Sequence, residues 1–166
     1  MTMPDTVTGT ETPPLSLESF ASQSRQAIPL LQSMAVQFTA FDDDGLRVDM
    51  PLAPNINDKQ TGFGGSIAAL ATAAGWAAIT LLLQSRNSQY DVMVVESHMR
   101  YLAPATEDFY ALACVTRSAK SAFHRTLDLQ PYGRITLPVM VEQNGQQIAT
   151  YTGTYKVVAQ PTSEPV

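Results

Sequence analysis

From Gln60 to Ser85 the chain carries no charged side chain, and nothing else in its 166 residues limits the fold as sharply. Residues 64–84, "GGSIAALATAAGWAAITLLLQ", read as one helix of about 31 Å at about 1.5 Å of rise per residue, long enough to cross a bilayer. Its composition points elsewhere. Seven of these positions are alanine, and Ser66, Thr72, Gly75 and Thr80 lower the hydrophobicity further. Insertion would gain much less than for a leucine-rich span, and no cluster of Lys or Arg flanks the segment. A helix is also apolar all round when protein covers it on every side. Small side chains then let a sheet curl closely around it, so the segment predicts a buried core helix, no membrane partner, and enough strands elsewhere to wrap it.

Residues 17–31 place Leu17, Phe20, Ser24, Ala27, Ile28 and Leu31 at mixed three and four spacing, an amphipathic helix that Pro29 should end or kink. Residues 33–41 alternate, with Met34, Val36, Phe38 and Ala40 on one face. Leu46, Val48 and Met50 alternate after the turn "DDDG", so the two runs predict a hairpin. Strand patterns return in "YDVMVVESHMRYLAP" and "DFYALACVTRS", joined by a turn around Pro104 to Glu107. A further antiparallel pair, "RITLPVMVEQ" and "QIATYTGTYKVV", flanks Asn144-Gly145, the strongest short hairpin signal. Pro138 in the first of these predicts an edge or a bulge. Residues 118–131, with His124, read as a short helix or an ordered loop. Residues 1–15 have little to bury and read as a disordered tail, which leaves one domain over 16–160. Strands on both sides of one long helix, joined mainly as antiparallel pairs, predict an α+β domain with an antiparallel sheet wrapped around the helix.

A chain of this length has one core, and 45% hydrophobic residues are enough to fill it. The net charge is -5 and the ten Lys and Arg are scattered, so the basic stripe that nucleic acid requires is missing. A small organic or acyl substrate fits this balance better. The single cysteine, Cys114, offers neither an intramolecular disulfide nor a CxxC spacing, and within "FYALACV" it reads as a small buried hydrophobe. Trp76 is assigned to the core. "MTMPDTVTGTETPP" has neither the basic nor the apolar region of a secretory signal, so a cytoplasmic location is expected.

The order of elements is helix, strand pair, a loop with Asn, Gly-Gly opening a long Ala-rich helix, then four strands. Over residues 17–158 this resembles the hotdog fold of acyl thioesterases and dehydratases. More narrowly, "PLAPNINDKQTGFGGSIAALATAAGW", "ESHMRYLAPAT" and "GRITLPV" resemble the thioesterase family found in some bacteria fused behind an acetyltransferase domain. The resemblance implies a homodimer or tetramer in which two sheets join edge to edge and two sites lie at the subunit interface. It further implies a thioester of coenzyme A or acyl carrier protein as substrate, a place in fatty acid metabolism, and no metal or other cofactor.

Thioester hydrolysis needs a base to activate water and a donor for the charge that develops on the carbonyl oxygen. Gly64 and Gly65 are the candidate donors. The first turn of a helix has unpaired N–H groups at the positive end of its dipole, and the absence of Cβ atoms allows close approach. A Gly-Gly pair would equally serve a tight turn or helix-to-sheet packing. Asn57 lies six residues before Phe63, and Asn57 to Gly65 resembles the hotdog thioesterase motif of Asn, a short loop, then His-Gly-Gly. Phe63 stands in place of that His. Thr72 stands in place of the acid nine residues later that serves those enzymes as base or nucleophile.

The base must therefore come from elsewhere. Asp58 in the same loop is one candidate, with turn formation or helix capping as its plainer role. Glu96 is the other: on a strand over 91–101, Glu96, His98 and Arg100 share one face, while Met93, Val95, Ser97, Met99 and Tyr101 share the other. That trio could equally be a solvated face or a subunit contact. Asn57 or Thr72 would orient the water, and His124 is read as a surface or substrate-phosphate contact. The expected activity is thioester hydrolysis. A non-hydrolytic acyl-binding or assembly module is the second reading, motivated by the missing His and acid; a dehydratase ranks third, because it would need that His.

Overall fold

Ser16 starts the fold by capping: its side-chain oxygen accepts from the Ser19 N–H at 3.2 Å and opens helix α1, Leu17–Ala27. The structure, a computed structural model, describes residues 15–43, 45–86 and 88–161. The tail expected over 1–15 thus lies almost wholly outside the described residues, as does Asp44 of the first turn. Helix α1 stops at Ala27, and Pro29 takes the first position of a second short helix, α2, Pro29–Ser33. A proline has no N–H to give the preceding turn but suits a helix start, so one residue does both.

The first strand begins later than its alternation suggests, because Ser33 still belongs to α2. Strand β1, Gln37–Asp42, pairs antiparallel with β2, Gly45–Met50. A register shift between Phe38 and Ala40 leaves Phe38 buried and Ala40 exposed, although simple alternation put both inward. The chain continues through helix α3, Gly64–Leu83; strand β3, Tyr90–Tyr101; strand β4, Phe109–Ala113; helix α4, Arg117–Leu129; and strands β5, Tyr132–Gln143, and β6, Gln146–Ala159. Thr116 caps α4 by accepting from the Ala119 N–H, and Phe123 and Leu127 are buried, so the segment left open between helix and loop is a helix.

All strand pairs are antiparallel, in the order β1-β2-β4-β5-β6-β3. Asn144 and Gly145 take φ of 46° and 75°, the left-handed pair that a two-residue hairpin turn requires. The strands β3 and β4 are consecutive in sequence yet are not neighbours. The long β3 pairs with the long β6 at one edge, while β4 sits between β2 and β5, so residues 102–108 carry the chain across the sheet rather than turning a hairpin. Likewise Pro138 is on an internal strand, not an edge. It lies one residue beyond the last β4 pair, Ala113 with Val139, and faces only Thr152 of β6.

Helix α3 packs against β2 through β6 and buries twelve of its residues. Tyr155 of β6 reaches it directly: the phenol donates to the Thr72 carbonyl at 2.9 Å and lies 3.2 Å from the Tyr151 hydroxyl. Burial and that Tyr151 contact push the Tyr155 phenol far above the usual tyrosine range. The helix is not covered on every side, however. Gly65 is exposed, and Ala68, Ala69, Thr72, Trp76 and Thr80 are only half-buried, because one sheet can wrap only one side of a helix. Trp76 lies on this open stripe, stacked on Phe20 at 5.7 Å between ring centroids, so it borders the core rather than filling it. Cys114 is also half-buried, just past the end of β4.

Beyond the far end of α3, Arg86 donates to Asp128 at 2.7 Å and to the Tyr90 hydroxyl at 3.0 Å, and its guanidinium lies 3.2 Å from Nδ1 of His124. An arginine can only donate, so this contact requires a neutral imidazole with a free Nδ1 lone pair. Burial first, then the charges of Arg86 and Lys120, hold the His124 pKa below its ordinary value; Asp128 opposes them. The unfolded chain therefore takes up this proton more readily than the folded one. Stability from this group should be complete above about pH 6.5 and decline as pH falls below it. Urea melts at pH 7.5 and pH 5 should show a loss in the wild type that is smaller in His124→Gln; an equal loss in both would remove His124 from the account.

Candidate active site at the start of the core helix

The loop before α3 is fastened at both ends by Asn55. The residue is 2% exposed; its Nδ2 donates to the Met34 and Pro51 carbonyls at 2.9 and 2.8 Å, and its backbone carbonyl accepts the Phe63 N–H at 2.7 Å. Inside that clasp, Asn57 closes a smaller loop. Its Oδ1 accepts from the N–H groups of Lys59 and Thr61 at 2.9 and 3.1 Å, its Nδ2 donates to Thr61 Oγ1 at 3.0 Å, and Ile56 bridges to Gly62. Both ends of the Asn57 amide are thus committed to its own loop. This is the Asx-turn use of the residue rather than the orientation of a water.

The loop is then joined to the crossing segment over 102–108. The Gly62 N–H donates to the Ala105 carbonyl at 2.8 Å, and a Cβ on Gly62 would stand 2.7 Å from that of Ala105. Buried Gln143 holds the other side of the segment: its Oε1 accepts from the N–H groups of Thr106 and Glu107 at 2.9 and 3.3 Å. The position at which α3 begins is thereby fixed from three directions.

Phe63 is the helix cap and has no side-chain oxygen to offer it, and the first amide of this turn to find a carbonyl is that of Ile67, 3.1 Å from the Phe63 backbone oxygen. Among the described residues, the N–H groups of Gly64, Gly65 and Ser66 have no partner, so three donors stand open at the positive end of a 20-residue helix. Two aromatic rings crowd this turn. The Tyr101 hydroxyl donates to the Gly64 carbonyl at 2.8 Å and its ring lies 3.5 Å from where a Cβ on Gly64 would stand, while a Cβ on Gly65 would fall 2.4 Å from the Phe63 ring. Both rings are about half exposed, Phe63 at 54% and Tyr101 at 53%, and form an apolar rim around a polar centre. Tyr101 was not singled out from sequence. The signal was its place on the alternating face opposite Glu96, and its partner is a backbone oxygen 37 residues away.

Of the carboxylates nearby, Glu107 accepts from the Asn144 amide, and Asp108 accepts from the Leu52 N–H at 2.8 Å. Asp58 sits at the loop tip, exposed, and among the described residues its one polar partner is Lys59 at 3.4 Å. Thr72 lies two turns into α3 on the half-buried stripe. Glu96 is not brought to this turn. It pairs with Thr154, and His98 and Arg100 pair with Thr152 and Thr150, on the sheet face opposite Tyr151 and Tyr155, whose side lies against α3. A register shift between Val94 and Glu96 makes Val95 the extra residue, so Met93, opposite Lys156, shares the Glu96 face instead of the other one. The structure thus places Gly64 and Gly65 in the first turn of α3 and Asn57 and Asp58 in the loop that leads into it, with Thr72 further along the helix and Glu96 behind the sheet.

Residues 17–159 match the family model described as "Putative thioesterase (yiiD_Cterm)". Among solved structures, a putative thioesterase from Shewanella oneidensis is 29% identical, with a TM-score of 0.74 over 86% of this chain and 96% of that one. A protein of unknown function from Chlorobaculum tepidum is 26% identical, with a TM-score of 0.79 over 90% of this chain and 100% of that one. A probable thioesterase from Pseudomonas aeruginosa, 20% identical with a TM-score of 0.76, covers 89% of this chain and 98% of its own, and shares the fold. The sheet wrapped on one long helix is the hotdog arrangement expected from the sequence.

Proposed function

The chain belongs to the putative thioesterase family, a class of thioester hydrolases, and from that premise we propose that it cleaves an acyl thioester of coenzyme A or acyl carrier protein at a site completed by two copies of the chain. The observation that carries this reading is the open first turn of α3, with three unpartnered N–H groups between the rings of Phe63 and Tyr101. The thioester oxygen accepts from the Gly64 and Gly65 amides, whose dipoles already point at the charge that will develop. Asp58 takes a proton from water, and the hydroxide attacks the carbonyl carbon. The tetrahedral intermediate then collapses with loss of the C–S bond, and the proton on Asp58 passes to the leaving sulfur. The products are a carboxylic acid and a free thiol. Thr72, with a hydroxyl on the open stripe, orients the water, since Asn57 is committed to its loop.

The shared site rests on the position of β3. This edge strand ends at Tyr101, against Gly64, and leaves Met93, Val94 and Val95 between 43% and 46% exposed. A long apolar edge is a template for another strand, and a second copy covering it would close the site from the side that one sheet leaves open.

A panel of acyl-CoA chain lengths, followed by release of free thiol, tests the activity; turnover well above the uncatalysed rate for at least one chain length is expected. Binding of acyl-CoA with no cleavage would sink hydrolysis and leave the acyl-binding module. Phe63 and Thr72, neither able to act as a base at neutral pH, favour that second reading.

A further inference from the structure

On the sheet face away from α3, Glu96, His98 and Arg100 occupy alternate positions of the free edge strand β3, opposite Thr154, Thr152 and Thr150. All three are exposed, and none makes a salt bridge or side-chain hydrogen bond within the described chain. Charged side chains on an edge ordinarily keep other strands away. An acid and a base four residues apart on one face do something more selective: under a two-fold axis they are self-complementary.

When two copies of one strand pair antiparallel about such an axis, each residue faces a partner at a fixed sum of residue numbers, and both must point to the same side of the joined sheet. Only registers centred on a residue satisfy this. Centring on Glu96 sets carboxylate against carboxylate, and centring on Arg100 sets guanidinium against guanidinium. Centring on Ser97 sets Glu96 against His98 of the partner subunit, but the regular ladder then reaches the bulge at Val95 after three residues. Centring on Met99 avoids the bulge but sets Arg100 against His98 of the partner subunit and Glu96 against Leu102 of the partner subunit, so neither charge meets its opposite. Centring on His98 leaves residues 96–100 in one unbroken ladder and sets each Glu96 against an Arg100.

We propose that a second copy of this chain adds to β3 in the register centred on His98, with Glu96 of each subunit paired to Arg100 of the other and the two His98 side chains facing each other across the axis. This rests on the shared-site reading above and goes beyond it by fixing which residues meet. Tyr101 is three positions from the axis, about 10 Å at about 3.4 Å per residue, so both α3 starts lie close to the joint.

Two experiments on the full chain with Cys114→Ser test the register. Directly opposed residues place their Cβ atoms about 4.5–5.5 Å apart, within reach of a disulfide, whereas residue 96 would be four positions, about 13 Å, from its own copy. His98→Cys should cross-link the dimer under mild oxidation while Glu96→Cys and Arg100→Cys do not. In sedimentation, Glu96→Arg and Arg100→Glu should each raise the dimer Kd about tenfold, and the two together should return it to within about twofold of the parent. Cross-linking through Ser97→Cys or Met99→Cys instead, or a double variant weaker than either single one, would overturn the register while leaving the dimer intact. A parent chain that sediments as a monomer at micromolar concentration would overturn the shared site itself.

Discussion

Replacing Asp58 with asparagine is expected to lower kcat for thioester hydrolysis by about 10²–10⁴-fold, the range for loss of a positioned acid–base group, and to leave the melting temperature unchanged. The substitution is clean for a structural reason. The turn that carries Asp58 is held by Asn57, through its contacts with Lys59 and Thr61, while among the described residues the Asp58 carboxylate has the exposed Lys59 amine as its one polar partner. Asparagine keeps the shape and removes the ability to accept and return a proton. The same loop offers an internal contrast: Asn57→Ala should cost stability and activity together, because it opens the turn that fixes Gly64 and Gly65. Steady-state kinetics on an acyl-CoA with thermal melts of both variants separate these effects. An Asp58→Asn enzyme with kcat within about threefold of wild type, far short of the loss a general base implies, would move the base to another residue and reopen the part played by the partner subunit.

Why the loop and helix were legible in sequence while the pairing of distant strands was not follows from the range of the interactions involved. Asn144-Gly145 encodes its turn within two residues, and Pro29 ends one helix and starts another by its own ring. Gly64-Gly65 before an uncharged run marked a helix start open to close approach, and the structure crowds that turn with Phe63 and Tyr101. Features set by pairing between distant strands were not legible. The extra residue at Val95 moves Met93 to the other side of β3, and no alternation within 90–101 shows it, because the bulge exists only relative to β6. The strand order has the same character: β3 and β4 look like successive partners until the length of β6 claims β3 for the far edge. The grouping of Glu96 with His98 and Arg100 was visible, but which side of the sheet they face depends on where Tyr151 and Tyr155 point. The open stripe on α3 escaped for a related reason. Local sequence reports that the helix is apolar, not whether its cover comes from its own sheet or from another copy of the chain.

The second large effect is expected in the middle of the same helix. Helix propensity alone predicts that Gly75→Ala stabilises by about 0.8–1 kcal/mol. The structure predicts the opposite sign, because a Cβ at Gly75 would stand 2.2 Å from the Tyr155 hydroxyl oxygen and 2.8 Å from its ring carbon. The ring has little room to yield. Tyr155 is fully buried, its hydroxyl donates to the Thr72 carbonyl at 2.9 Å, and Tyr151 lies against it at 3.2 Å. Overpacking of about 1–3 kcal/mol therefore competes with the propensity gain for alanine. For Gly75→Val the β-branch adds volume, and displacing the phenol adds a buried donor's lost hydrogen bond at about 1–3 kcal/mol, for a total of about 3–5 kcal/mol. In a domain of this size that corresponds to a fall in Tm of about 10–15 °C. Tyr155→Phe removes the nearest atom of the clash, so combining it with Gly75→Ala should recover part of the loss. Failure of that rescue, or a Gly75→Ala protein that melts above wild type, would show that α3 can move away from β6. The Thr72 stripe would then not be held where the proposed hydrolysis needs it.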